Sequence, residues 1–189
     1  MNPLIRITVL FSLLLVELHP SLASRHNDAY VRDACSVTRY QELCIRSLSP
    51  FSAAAKNSPS KWARAGVSVT IAETKRVLKR IAETQRSAAV GKRDRVALAD
   101  CRELLQDALD DLHMSLSVLR KLTATEFQQQ MSNLATWLSA ALTDQDTCLD
   151  GYAGTRTSTV RIVRRRVANS MYFTSNALAL VNKLATAGL

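Results

Sequence analysis

The stretch that decides the fold lies at residues 98–119 and reads LADCRELLQDALDDLHMSLSVL. Its apolar side chains recur every three or four residues, which is the period of one face of an α-helix. Seven positions form this stripe: Leu98, Cys101, Leu105, Leu109, Leu112, Leu116 and Leu119. Because a helix with one continuous apolar face has to bury it, we expect a helix that starts near Asp94 and packs against similar helices.

A helix of the same kind is predicted before it. Ser58 and Pro59 suit the cap and first turn of a helix, which would continue to about Ala89 and end at Gly91. Its apolar stripe comprises Val67, Ile71, Thr74, Leu78 and Ile81.

Two more helices are predicted after it. The third would open with the capping box Thr123-x-x-Glu126, and the fourth follows a break at Gly151 and Gly154. Their inner positions are Met131, Leu134, Leu138, Ala141 and Leu142, then Val160, Val163, Val167, Met171, Thr174, Leu178 and Val181.

Four long amphipathic helices joined by short connections predict an all-α, up-down-up-down bundle. Its predicted range is residues 58–189, preceded at 24–57 by a helical hairpin around Cys35 and Cys44 and a linker. The composition agrees, because the 189 residues include only 5 glycines and 4 prolines, too few for the many turns of a β-sandwich.

The N-terminus has the pattern of a secretory signal peptide. Arg6 precedes an apolar run at residues 7–16, and Ser21 and Ala23 place small residues before a cleavage site after Ala23. The run is shorter than the roughly 20 residues that a spanning helix needs. We therefore predict a secreted, extracellular mature chain of residues 24–189.

The 4 cysteines all lie in that mature chain, where an oxidising compartment lets them pair. Three connectivities are possible, and we favour Cys35 with Cys44 and Cys101 with Cys148, because the first two share a short N-terminal segment. A zinc site is disfavoured, since no CxxC spacing occurs and exported thiols oxidise.

No motif for catalysis is present. The 3 histidines lie at His19, His26 and His113, without a metal-binding spacing, and neither G-x-S-x-G nor a phosphate loop occurs. We expect no enzyme activity, no cofactor and no metal.

A stripe of carboxylates runs along the helix of residues 98–119. At about 100° per residue, Asp107 and Asp110 fall within about 40° of Glu103 and away from the leucines. An ordinary solvated face is one explanation. The other is a docking face for a basic protein surface, because the chain as a whole carries a net charge of +9.

Basic residues form separate clusters. Export argues against nucleic acid as their partner, which leaves an acidic polysaccharide, another protein or a merely solubilising surface. The clusters comprise Lys75, Arg76, Lys79 and Arg80; Lys92, Arg93 and Arg95; and Arg161, Arg164, Arg165 and Arg166.

Motifs around the cysteines carry a family resemblance. They are Cys35-x-x-Thr38-x-Tyr40-x3-Cys44, Ala99-Asp100-Cys101-x-Glu103 with Asp107-Ala108-x-Asp110-x-Leu112, Trp137-Leu138-Ser139-Ala140-Ala141-Leu142 with Thr147-Cys148-x-Asp150-Gly151-Tyr152, and Thr174-Ser175-Asn176-Ala177-Leu178-Ala179-Leu180. In this order and spacing the chain resembles the plant invertase and pectin methylesterase inhibitor family over nearly the whole mature chain.

The resemblance implies a four-helix bundle with an N-terminal hairpin, one disulfide in the hairpin and one joining the second and third bundle helices. It also implies a partner, a pectin methylesterase of the plant cell wall, bound one-to-one over its pectin-binding cleft. The implied contact residues are Glu103, Asp107, Asp110, Thr147 and Asp150.

Some positions depart from the family pattern. Leu105 replaces a frequent tyrosine, Tyr152 stands where relatives have phenylalanine, and the late Pro-Lys-Phe of many invertase inhibitors is absent. The last departure favours pectin methylesterase as the target. Two alternatives stay open: an inhibitor of cell-wall or vacuolar invertase, and a non-inhibitory wall protein whose basic patches bind acidic pectin.

Overall fold

The protein is described by a computed structural model that covers residues 28–153 and 157–189. The predicted signal peptide and Gly154 lie outside these residues. The helices are α1 (28–35), α2 (Gln41–Leu48), a 3₁₀ turn (Ser49–Phe51), α3 (Ser52–Ala55), α4 (Pro59–Gln85), α5 (Lys92–Leu119), α6 (Phe127–Asp150) and α7 (Ser158–Ala187).

The four long helices form a ring in chain order. Helix α4 packs on α5 and α7, and α6 packs on α5 and α7, so that α5 and α7 are diagonal to each other. Together with the short connections this confirms the predicted all-α, up-down-up-down bundle. Within the described ranges no strand occurs, and none of the helices there is long and apolar enough to cross a membrane.

The predicted start of α4 is confirmed, since the Ser58 hydroxyl accepts a hydrogen bond from the Lys61 amide. The predicted boundary between α4 and α5 is wrong. Helix α4 ends at Gln85, and Gly91 does not end it but is the N-cap of α5, which begins at Lys92, near the predicted Asp94. The chain turns early because Val90 between the helices is buried.

The predicted capping box of the third bundle helix is also wrong. Helix α6 begins at Phe127, with Glu126 as an N-cap that makes no side-chain cap bond. The side chain of Gln130 reaches back instead: its Oε1 accepts from the Thr123 amide at 3.1 Å, and its Nε2 donates to the Lys121 carbonyl at 3.2 Å. Gln130 therefore accepts the hydrogen bond from the Thr123 amide that the capping box assigned to Glu126.

The bundle core has two apolar parts, with polar contacts between them. Thr74, which the helical period placed in an apolar stripe, is buried and lies 3.1 Å from the Ser170 hydroxyl. The amide of Gln145 donates to the same hydroxyl at 3.3 Å. This layer ties α4, α6 and α7 together at one level, because a buried polar group needs a partner.

The N-terminal hairpin is fixed to α7. Cys35 and Cys44 form a disulfide, the first half of the sequential pairing that the sequence favoured. The Asn176 side chain accepts from the Tyr40 amide at 3.1 Å and donates to the Tyr40 carbonyl at 2.9 Å, and the Tyr40 and Tyr172 rings stack at 4.0 Å. The motif residues Tyr40 and Asn176 thus hold the hairpin on the bundle.

Candidate functional site

The candidate docking face is the outer side of α5. Glu103, Asp107 and Asp110 are exposed there, while Leu105 and Leu112 on the inner side are fully buried. The burial of Leu105 means that its departure from the family pattern changes the core of the bundle and not this face. We call Glu103, Asp107 and Asp110 the acidic stripe.

Helix α6 adds a carboxylate beside the acidic stripe. The Cys101–Cys148 disulfide, the second half of the sequential pairing, joins α5 to α6. The Cα atoms of these two cysteines lie 4.5 Å apart. Further along the same pair of helices, partial burial raises the pKa of Asp144, and the negative charges of Asp111 and Asp107 raise it further.

Asp111 of α5 is crowded in the same way. Partial burial raises its pKa, and the charges of Asp107 and Asp110 add to the increase. Asp111 and Asp144 were not predicted as site residues. The expected α5–α6 disulfide could have predicted that Asp144 lies near the carboxylates of α5. Two antiparallel helices joined at residues 101 and 148 place residue 144 near the turn after Cys101.

Exposed apolar side chains flank the acidic stripe at both ends. Val96 is 55% exposed and Met114 is 43% exposed, and both fall within about 20° of Glu103 on the helix. They are separated by about 27 Å of helix. Beside Val96 is an open recess of about 580 Å³, lined by Lys92, Arg93, Val96, Ala97, Asp100 and Gly151.

The two predicted residues on α6 are exposed but not joined to the acidic stripe. The Thr147 hydroxyl donates to the Thr143 carbonyl at 2.8 Å, within its own helix. Asp150 is the last residue of α6. Among the described residues no hydrogen bond or ion pair links either of them to Glu103, Asp107 or Asp110.

The described residues include no free thiol. All four cysteines are in disulfides, and His113 is exposed on α5. In residues 28–153 and 157–189 no three His, Cys, Asp or Glu side chains are grouped so that they could hold a metal ion.

A basic surface lies on the diagonal helix. Arg161, Arg164, Arg165 and Arg166 of α7 are all exposed. On α4, Arg76 pairs with Glu73 at 3.0 Å and Arg80 with Glu83 at 3.4 Å. The acidic stripe of α5 and the exposed arginines of α7 therefore lie on helices that are diagonal in the bundle.

This combination defines a class of protein. It is a disulfide-linked helical bundle with charged outer faces and a hairpin fixed to its last helix. The profile of the family described as plant invertase/pectin methylesterase inhibitor matches residues 29–180, and the chain belongs to this family.

Named relatives agree with that assignment. The chain is 62% identical over 162 residues to Pectinesterase inhibitor 6 of Arabidopsis thaliana, covering 85% of this chain and 77% of the relative. It is 37% identical over 168 residues to Pectinesterase inhibitor 3 of the same plant, covering 85% and 82%. The relatives' names support the prediction that the chain is not an enzyme.

The fold is shared with a crystal structure of a pectin methylesterase inhibitor from Arabidopsis thaliana, with a TM-score of 0.56 at 22% identity, covering 82% of this chain and 96% of that one. A mutant form of such an inhibitor gives a TM-score of 0.63 at 21% identity, covering 78% and 92%.

Proposed function

We propose that this protein is a secreted inhibitor of pectin methylesterase that binds the enzyme one-to-one and covers its pectin-binding cleft. The observation that carries the proposal is the 62% identity to a protein named Pectinesterase inhibitor 6. Such an inhibitor needs no chemistry of its own, because it prevents the substrate from reaching the enzyme.

The acidic stripe is the contact surface in this proposal. Its support is the reversal of sign: the chain carries a net charge of +9, yet the outer side of α5 presents Glu103, Asp107 and Asp110 to solvent. Carboxylates in an interface speed the encounter with a basic surface and fix its register. We place Thr147 and Asp150 at the edge of the contact.

Val96 and Met114 are the apolar part of the proposed contact. Apolar side chains that become desolvated in an interface contribute to its affinity, whereas charges contribute mainly to specificity and association rate. The flanking arrangement would let the enzyme surface close over the acidic stripe from both ends.

Export is part of the proposal, because the enzyme's substrate is a wall polysaccharide. The expected location is the apoplast and cell wall, reached through the predicted signal peptide at residues 1–23.

Two other partners remain predictions. The family name covers invertase as well as pectin methylesterase, so a cell-wall or vacuolar invertase is the alternative target. Acidic pectin is the second, as the ligand of a non-inhibitory wall protein that would bind it through its basic residues.

A tight-binding titration tests the proposed function. The oxidised protein is added in steps to a plant pectin methylesterase and, separately, to an acid invertase, with each enzyme held well above the expected dissociation constant. We expect esterase activity to fall linearly to near zero at one equivalent while invertase activity is unchanged. Loss of invertase activity alone would replace the proposed target with the alternative.

A further inference from the structure

Four arginines on the outer side of α7 have no partner. Arg161, Arg164, Arg165 and Arg166 are exposed, and within the described part of the chain none of their guanidinium groups forms an ion pair or a hydrogen bond. Two arginines of α4 differ, because Arg76 pairs with Glu73 and Arg80 pairs with Glu83. The fold does not need the α7 guanidinium groups, so they are free to bind an anion.

Three of these arginines line an open recess between α6 and α7. Its volume is about 560 Å³, and its walls are Leu149, Arg161, Arg164, Arg165 and Ala168. The volume lies in the range of small-molecule sites. Apolar side chains from both helices and three guanidinium groups thus share one concave surface.

A uronic acid sugar matches this surface chemically. The C–H face of a sugar ring can pack on Leu149 and Ala168, and its carboxylate can accept two parallel hydrogen bonds from a guanidinium group. A neutral sugar would lack the second interaction, and a simple anion would lack the first.

The basic surface extends across α7 beyond the first recess. A second recess of about 320 Å³ is lined by Ile162, Arg165, Arg166 and Asn169, so Arg165 borders both recesses. The Asn169 amide donates to Glu73 at 3.5 Å, and Glu73 holds Arg76 at 3.0 Å. The Glu73 carboxylate therefore limits the basic surface on the α4 side, while the unpaired Arg165 and Arg166 carry it past the first recess, as a polymer would require.

We propose that the α7 arginine surface, defined by Arg161, Arg164, Arg165 and Arg166, binds a linear polyuronate such as de-esterified pectin. The choice of pectin rests on the proposed function, because hydrolysis of methyl esters by the target enzyme leaves such carboxylates. Since α5 and α7 are diagonal in the bundle, the surface can hold polymer while the acidic stripe holds the enzyme. The inhibitor would then be retained where esters have already been removed.

Binding to polysaccharide tests the proposal directly. The oxidised protein is titrated with polygalacturonate and with fully methyl-esterified pectin at several salt concentrations, followed by calorimetry or affinity electrophoresis. The test variant is Arg161→Gln with Arg164→Gln and Arg165→Gln. The matched control, Arg32→Gln with Arg120→Gln and Lys121→Gln, removes the same three charges from exposed positions elsewhere.

We expect polygalacturonate to bind, esterified pectin to bind much more weakly, and the test variant to lose at least about tenfold in affinity while the control loses little. Equal binding of the two polymers, equal losses in the two variants, or no binding of polygalacturonate would overturn the proposal. Esterase inhibition is measured on the same samples. We expect the test variant to inhibit normally, and a protein that binds polymer without inhibiting any esterase would refute only the proposed function.

Discussion

Helices α5 and α7 have similar buried sides but carry side chains of opposite charge on their exposed sides. Each is a long amphipathic helix of 28 or 30 residues whose inner side is fully buried, and they face away from each other across the bundle. The outer side of α5 carries the acidic stripe between Val96 and Met114, whereas α7 presents unpaired arginines. The core therefore fixes the same bundle under both faces, and the difference between them lies in charges that the fold does not require.

A second difference is the support beneath each face. The helix that carries the acidic stripe is joined to α6 by the buried Cys101–Cys148 disulfide, while α7 is held by packing on α4 and α6 and by its contacts with the hairpin. We therefore expect loss of the disulfide to disturb α5 most, and substitutions that change the packing to disturb α7 most.

Removing the α5–α6 disulfide should have the largest effect. Cys101→Ala with Cys148→Ala opens a loop of 47 residues, worth about 4 kcal/mol of unfolding free energy by chain entropy, against about 3 kcal/mol for the 9-residue loop of Cys35 and Cys44. We expect urea unfolding to show the larger loss for the α5–α6 pair. A larger loss for the hairpin pair would contradict this ranking.

Enlarging Gly66 should damage the α7 side next. A Cβ atom there would lie 2.8 Å from Leu180 Cδ1 and 3.5 Å from the Ala177 Cα, so α4 and α7 approach closely at this point. We expect Gly66→Leu to cost about 1–3 kcal/mol by overpacking. Gly66→Ala is the control, because a gain of up to about 1 kcal/mol in helix propensity offsets the shift of one leucine methyl. Similar unfolding midpoints for the two variants would contradict the close approach.

Truncating Val96 and Met114, which flank the acidic stripe, should change the dissociation rate of the complex but not its association rate. We expect Met114→Ala and Val96→Ala each to speed dissociation from the esterase about 3- to 10-fold and to leave the association rate almost unchanged. Surface-bound kinetics measure both rates, and Val37→Ala, which is also exposed but lies in the hairpin region, is the control. A change confined to the association rate would refute the anchoring role.

Removing the negative charge of Asp144 should have the smallest effect, a small rise in Tm. Because the pKa of Asp144 is raised in the folded protein, the folded chain binds its proton more readily than the unfolded chain does. The group therefore opposes folding at pH 7, and this penalty fades as the pH falls to about 4 and below, where aspartate is protonated in both states. We expect Asp144→Asn to raise Tm by about 1 °C at pH 7 and by less at pH 3.5.

The control for that measurement is Asp146→Asn, an exposed position two residues further along α6, which should leave Tm unchanged. An Asp144→Asn variant that is less stable at pH 7 than at pH 3.5, relative to the parent, would reverse the sign of the argument.

The sequence was sufficient for features that depend on one segment at a time. The period of α5 predicted its buried face, and Ser58 with Pro59 predicted the start of α4. Features that depend on how two segments meet were missed. Gln130 replaced the expected capping box because it reaches the chain before α6, and Thr74 lies among apolar positions because Ser170 comes to meet it.

The site shows the same limit. The acidic stripe could be predicted because its three carboxylates share one helix, whereas the approach of Asp144 to Asp107 and Asp111 depends on the register of α5 against α6. The α7 recess could not be predicted from spacing, since Leu149 of the neighbouring helix forms one of its walls.

The central claim is that the enzyme docks on the acidic stripe, and charge reversal tests it most directly. Inhibition of a plant pectin methylesterase is measured for Glu103→Lys with Asp107→Lys and for the control Glu42→Lys with Glu83→Lys, which makes the same charge change at exposed positions elsewhere. We expect the first pair to weaken inhibition at least about tenfold, mainly through slower association, and the control to inhibit nearly as the parent does. Equal inhibition by the two pairs would contradict the claim.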